Sequence, residues 1–394
     1  IAAKDYDTAL TLRGDSYTEL SHVFHSISHA LPGVRQKTKS SRIAVLNVGG
    51  LAPGMNAAAR VAIRLGLHRG HTILGVKGSF AGLAEGDVQE MQWGDVEGWS
   101  SRGGAELGIS RKVPTVRDLY AIGRGLETHG IDGLVIIGGW DAFESAHTMW
   151  RERDRYEAFK IPMICLPASI DNNLPYSELS IGADSALNLI VDSIDRVRQA
   201  GAAQRRAFVV ETMGGNCGYL ALLAGLSGGA VRVYLHEEGI TLKDLSVDVE
   251  RMVDSFRAGQ RLFMVVANEK ASPMYTSDFL CRLFEQESQD LFDARKVVLG
   301  QTQQGGTPSP FDRILGTRLA AHAMDWISNE IDRSRADNAV IGTINGSVKV
   351  MSMRQAEDLA DWENRRPLKQ WWMDLRPILD VLAQRLPVEQ TRTF

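Results

Sequence analysis

Three cysteines, Cys165, Cys217 and Cys281, are all that 394 residues contain, widely spaced and in no metal-ligand motif. That scarcity excludes a disulfide-stapled fold and a cysteine zinc site, and a reduced, cytoplasmic compartment is expected. Long hydrophobic runs are missing too: no apolar stretch approaches the roughly 20 residues a bilayer span needs. The opening IAAKDYDTAL lacks the basic-then-apolar order of a signal peptide. Charge of one sign is not in excess, since the formal net charge is only −4. Neither nucleic acid nor membrane is therefore an expected partner, and any anion site must be a local cluster of Arg and Lys. The nine histidines form no metal-spaced pair and have no nucleophile partner, so zinc and Ser-His-Asp chemistry find no support. The chain also opens at Ile1 without an initiator methionine, from which a piece of something longer is expected.

What is present is ordinary globular material, 44% hydrophobic and 23% charged, in a chain too long for one core. Arg35 to Arg42, RQKTKSSR, reads as a linker. Beyond it, short β-branched runs alternate with helical patterns. The runs are RIAVLNV, GLVIIGG, PMICLPA, RAFVVET, AVRVYL, RLFMVVA, KVVLG and AVIGTI. Such alternation predicts an α/β protein of two three-layer lobes with mainly parallel sheets. In these sheets ligands sit at the carboxyl ends of strands, where the Gly-rich and polar turns of this sequence fall.

The turns carry the chemistry. Gly49-Gly50-Leu51-Ala52-Pro53-Gly54-Met55-Asn56 joins a strand to a helix, as backbone cradling a phosphate would require. Gly138-Gly139-Trp140-Asp141 follows the GLVII strand, with Asp141 placed to complement a helix dipole. Pro167-Ala168-Ser169-Ile170-Asp171-Asn172-Asn173 offers a carboxylate in a turn-forming cluster. Arg205-Arg206 opens the strand that ends in Met213-Gly214-Gly215. Glu269 ends another, and Arg295 precedes KVVLG with Gln301-Thr302-Gln303-Gln304 closing it. Arg102-Gly103-Gly104 with Arg111 and Lys112 adds further guanidinium groups, which suit bidentate phosphate recognition.

In this order, from about Arg13 to Leu379, the turns resemble those of the 6-phosphofructokinases. The resemblance implies a phosphofructokinase-like fold, with residues 43–182 plus 312–345 as a nucleotide-type lobe. Residues 183–311 plus 346–394 would form a sugar-phosphate lobe with C-terminal helices, and 1–42 a linker and helical segment. Active members carry Asp at the positions of Leu51, Trp140 and Asn173, and Arg at that of Gln304. An indole cannot replace a carboxylate that serves magnesium-nucleotide, because phosphoryl transfer depends on metal and positioning.

These replacements resemble those of the carboxyl-terminal, regulatory half of the eukaryotic ATP-dependent enzyme. That half binds fructose 2,6-bisphosphate and activates phosphorylation of fructose 6-phosphate in glycolysis. By resemblance, Arg111, Arg206 and Arg295 hold phosphates. Met213, Gly214, Gly215, Glu269, Ser169, Ile170, Asn172, Asn173 and Gln301 to Gln304, Thr302 and Gln303 included, line the sugar. Asp171 stands at the position of the family's general base, here vestigial, although regulatory halves commonly have Ser there; Gln301 stands where they usually have His. No cofactor or metal is expected in this segment, with magnesium and ATP belonging to the parent enzyme. Its expected partners are a catalytic half on the same polypeptide and identical copies in a homotetramer. Two alternatives stay open: a competent kinase using Asp171, and a structural half that binds no sugar.

Overall fold

The computed structural model describes residues 40–202 and 204–383. The expected linker and helical segment therefore lie, up to residue 39, outside the described residues. Two compact units divide the chain: residues 1–185 with 304–368, and residues 186–303 with 369–394. Residues 346–368, expected in the sugar-phosphate lobe, instead belong to the first unit. The cause is a strand pairing with Asn338–Ile344, described below.

In the first unit the elements run β1 (Arg42–Val48), α1 (Met55–His68), β2 (Thr72–Val76), α2 (Ser79–Glu85), β3 (Val88–Glu90), α3 (Val116–Thr128), β4 (Gly133–Gly138), α4 (Trp140–Glu152) and β5 (Met163–Pro167). After α5 (Ala183–Ala202) the chain builds the second unit: β6 (Arg206–Thr212), α6 (Tyr219–Ser227), β7 (Arg232–Tyr234), α7 (Leu242–Arg257), β8 (Leu262–Asn268), α8 (Ser277–Gln286) and β9 (Asp293–Val298). It returns through α9 (Pro310–Asp332), β10 (Asn338–Ile344), β11 (Ser347–Ser352), α10 (Met353–Glu357) and the short pair β12 (Ala360–Asp361) and β13 (Arg366–Pro367), and ends with α11 (Arg376–Leu382) in the second unit.

The first unit holds a seven-stranded sheet, β11-β10-β5-β4-β1-β2-β3, parallel except at its two edges. β11 pairs antiparallel with β10 from Ala339↔Ser352 to Ile344↔Ser347, which draws residues 347–352 into this sheet. Ala44, Leu46 and Val48 of β1 face a core shared with α2, α3, α4 and α10. The opposite face is covered by α1 and α9: a methyl on Gly66 of α1 would strike Ile73 of β2 and lie 3.0 Å from Met324 of α9. The second unit holds a parallel four-stranded sheet, β7-β8-β6-β9. Ala207, Val209, Phe263 and Val265 pack with Leu245, Met252 and Phe256 of α7 and Leu280 and Phe284 of α8. On its other face Gly201 of α5 abuts Phe208, and Gly225 of α6 abuts Val233. Trp372, 1% exposed, packs edge-on to Tyr219, so the paired tryptophans of the tail are packing groups.

Helix starts follow local chemistry. Thr115 with Asp118 and Thr241 with Asp244 form capping boxes that satisfy the first N–H groups of α3 and α7. In the second unit a buried triad pins α7 to the sheet: Tyr234 donates to Asp248 at 2.8 Å, and Arg232 pairs with the same carboxylate at 2.8 Å. Ser309 caps α9 with Pro310 in its first turn.

Asp312, in that turn, is fully buried and accepts from the Ser185 N–H at 2.7 Å and its hydroxyl at 2.6 Å. Burial outweighs those bonds and pushes its carboxyl up to about 6. The folded state then holds a proton that the unfolded state has released between about pH 4 and pH 6, so stability falls as pH rises through that window. Urea unfolding from pH 4 to 7 should show this loss, on the order of 3 kcal/mol for a carboxyl raised to about 6, and Asp312→Asn should flatten it. Equal pH dependence in both proteins would exclude Asp312 as the source.

Candidate functional site

In the first unit, the carboxyl ends of β1 and β4 meet at the point where strand order reverses, since β2 lies to one side of β1 and β4 to the other. The two backbones nearly touch there. A β-carbon on Gly138 would sit 2.0 Å from the Val48 carbonyl oxygen. The following glycines turn the chain away, Gly49 with φ +96° and Gly54 with φ +107° at the start of α1. Over this turn lie two predicted side chains: a methyl on Gly50 would come within 3.1 Å of Arg111 Nη2 and 3.2 Å of Gln304 Nε2. The structure thus brings Arg111, Gln304 and the first glycine turn together. Asn56 is buried and serves as a brace, donating to the Gly103 carbonyl at 3.0 Å and accepting from the Glu106 N–H at 2.8 Å. Gly103 is required because its β-carbon would fall 2.1 Å from the Gly306 carbonyl.

Trp140 does not project into this crevice. Its indole is 5% exposed and edge-packed against Phe143 at 5.7 Å and Trp362 at 5.6 Å. The neighbouring Asp141 is the group that faces the turn, its Oδ2 lying 3.4 Å from where a Gly49 methyl would be. Burial raises the Asp141 carboxyl, and Arg365, at 3.0 Å, opposes that rise. Arg365 also bonds Glu144 and accepts from Asn173 Nδ2 through its carbonyl at 3.0 Å. Sequence reasoning missed Arg365, and no local signal marks it: it belongs to a turn between β12 and β13, far along the chain from its partners.

The turn after β5 holds Ser169 to Asn173. Asp171 is half-buried, with its N–H donating to Ser169 Oγ at 3.2 Å. Ile170 and Asn172 are 2% and 1% exposed. Asn172, in the left-handed region at φ +51°, accepts from the Ser180 N–H at 2.7 Å and donates to the Glu178 carbonyl at 2.8 Å. Its amide is consumed by the turn, and with Ile170 buried beside it the two side chains shape the loop. Asn173 is likewise buried, and its amide is spent on Arg365.

The second unit separates residues that the sequence reading places in one site. At the carboxyl ends of β6 and β8, the Gly215 N–H donates to Glu269 Oε1 at 2.9 Å, and the Met213 N–H donates to Gln303 Oε1 at 3.2 Å. Gly214 has φ +138° and leaves no room for a β-carbon, 2.4 Å from the Cys217 carbonyl. Gln303, 1% exposed, also donates to the Gly300 carbonyl at 2.9 Å and is a brace, while Glu269, Gln301 and Thr302 are exposed. Arg206 opens β6, paired with Asp293, and Arg295 pairs with Phe208. They share one face at the amino ends of these strands, about 20 Å of strand away from Met213 at ~3.3 Å per residue. Arg206 and Arg295 therefore do not converge with Glu269 inside this unit; strand direction sets them apart. Arg206 Nε is buried without a hydrogen-bond partner among the described residues, an orphaned donor suited to an anion. Arg295 is half-exposed and pairs with Asp293 at 3.4 Å and Glu285 at 3.8 Å.

The family model described as "Phosphofructokinase" matches residues 42–327. The muscle-type ATP-dependent 6-phosphofructokinase of Homo sapiens is 41% identical over 392 residues, covering 97% of this chain and 50% of that protein. The phosphofructokinase structure from Saccharomyces cerevisiae superposes with a TM-score of 0.91 at 35% identity, covering 98% of this chain and 54% of that one. That of Pichia pastoris in the T-state gives 0.89 at 33% identity, covering 98% and 46%. The chain spans about half the length of the curated relatives it matches.

Asn172→Ala should cost about 3 kcal/mol, because it leaves the Ser180 N–H and the Glu178 carbonyl unpaired and puts alanine in the left-handed region. A urea midpoint unchanged from that of the parent would show that Asn172 does not hold the turn.

Proposed function

The chain belongs to the phosphofructokinase family, and from that premise we propose that it is the regulatory half of an ATP-dependent 6-phosphofructokinase. In this reading it binds fructose 2,6-bisphosphate or a related sugar phosphate and leaves phosphoryl transfer to a catalytic half on the same polypeptide. The parent enzyme then uses magnesium-ATP to convert fructose 6-phosphate to the 1,6-bisphosphate.

One observation carries the reading. Where active relatives resembling this chain place an Asp for the magnesium-nucleotide, Trp140 is locked into an aromatic core and offers the crevice no oxygen. The Met213-Gly214-Gly215 turn supports the sugar-binding part of the reading, its N–H groups bonded to Gln303 and Glu269. A hexose would take the Glu269 carboxylate as a hydroxyl acceptor and displace its bond to Gly215.

The placement of Arg206 and Arg295 supports a further element. At the amino end of the sheet they cannot reach a sugar held by Glu269 of the same unit, so they serve a sugar bound to a neighbouring copy in a homo-oligomer. An effector so bound shifts the catalytic half only by favouring one global state, with a coupling of typically about 1–3 kcal/mol.

Calorimetric titration with fructose 2,6-bisphosphate should give saturable heat, and Arg206→Ala should weaken that binding at least about tenfold by leaving a phosphate without its guanidinium. An unchanged affinity removes Arg206 from the site, and no saturable heat at all leaves a purely structural half. Turnover of fructose 6-phosphate with magnesium-ATP that Asp171→Asn abolishes would overturn the regulatory assignment.

A further inference from the structure

Two cations act on Asp141, the carboxylate that faces the glycine turn after β1: Arg111, which lies over Gly50, and Arg365, which alone of the two bonds it. Asp141 in the first turn of α4 and Glu144 three residues on both bond one guanidinium, that of Arg365. The side chains of Asp141, Glu144 and Arg365 are 16%, 35% and 44% exposed, so the pair stands partly out of water, where screening is weak. Arg365 is not a loose surface residue. Its backbone sits at φ +55°, its carbonyl is held by Asn173, and Trp362 of the same turn stacks on Phe143 at 5.3 Å and 20°.

Magnesium, which the family implies for a nucleotide crevice, does not fit these residues. It demands near-octahedral oxygen ligands at about 2.0–2.1 Å, and the Asp141 carboxylate that faces Gly49 is already paired with Arg365. An arginine does not deprotonate, and a metal that took both carboxylates would leave its guanidinium without a counter-charge.

We propose that Arg365 is a built-in counter-cation that closes this crevice to divalent metal, and so determines that the first unit of this half does not take metal-bound ligands. The inference deepens the regulatory reading and rests on it, but its readout is separate from sugar binding.

The experiment is a Mn2+ titration followed by electron paramagnetic resonance at pH 8. The parent protein, R365Q, R365K and the double variant R365Q/D141N are compared, with thermal melts by circular dichroism. R365A is carried in parallel and replaces R365Q should the latter melt early. The parent and R365K should leave the free Mn2+ signal unchanged, R365Q should bind Mn2+ at least about tenfold more tightly, in line with a net change of one positive charge at the site, and D141N should cancel that gain. Mn2+ binding by the parent equal to that of R365Q, no gain in a folded R365Q or R365A, or a gain that survives D141N would each overturn the proposal. Fructose 2,6-bisphosphate calorimetry on the same preparations keeps the two ideas apart, because loss of sugar binding with this Mn2+ pattern intact strikes the regulatory reading alone.

Discussion

The first unit is organised around a backbone contact that no side chain could tolerate. β1 and β4 run parallel from Ile43↔Gly133 to Val48↔Gly138, and at the last pair the strands are so close that only hydrogen fits on the Gly138 α-carbon. Both chains then leave the strands through Gly49 and Gly139. That departure sets Asp141 against Gly49, starts α4 at Trp140 and α1 at Met55, and leaves the crevice over which Arg111 and Gln304 lie. A phosphate could approach the main chain there for the same reason a methyl could not.

In the second unit the governing fact is polarity. All four strands point the same way, so the sheet has a carboxyl rim with Met213, Gly215 and Glu269 and an amino rim with Arg206 and Arg295. The two rims have opposite chemistry: the first offers N–H groups and a carboxylate, the second guanidinium groups, one of them with a buried unsatisfied nitrogen. A bisphosphorylated sugar needs both kinds of partner. A single copy of this unit presents them at opposite ends of its strands.

The strands most legible in the sequence were those buried on both faces. RIAVLNV and RAFVVET match β1 and β6 residue for residue, and AVIGTI falls one residue inside β10, because continuous apolar runs admit few other readings. The edges escaped. β3 has three residues, β11 alternates without a strong apolar face, and β9 begins at Asp293, three residues before the KVVLG run, since most of its side chains face water. The glycine and polar turns could be found by spelling, because their constraints are local. What spelling cannot convey is which end of a strand a residue occupies relative to a distant one, so Arg206 and Glu269 read as neighbours. Nor does it reveal that an arginine from a late hairpin returns to the first turn of α4.

The division of the chain has an effect on biosynthesis. The second unit, apart from its C-terminal segment, is one uninterrupted stretch, whereas the first is split around it, with Met163 of β5 pairing to Asn338 of β10. A ribosome delivers β1 to β5 early but must translate the entire inserted unit before β10 can cover the open side of β5. During that interval the nascent sheet exposes an unpaired apolar edge, the kind of surface that chaperones recognise and that aggregates when left bare.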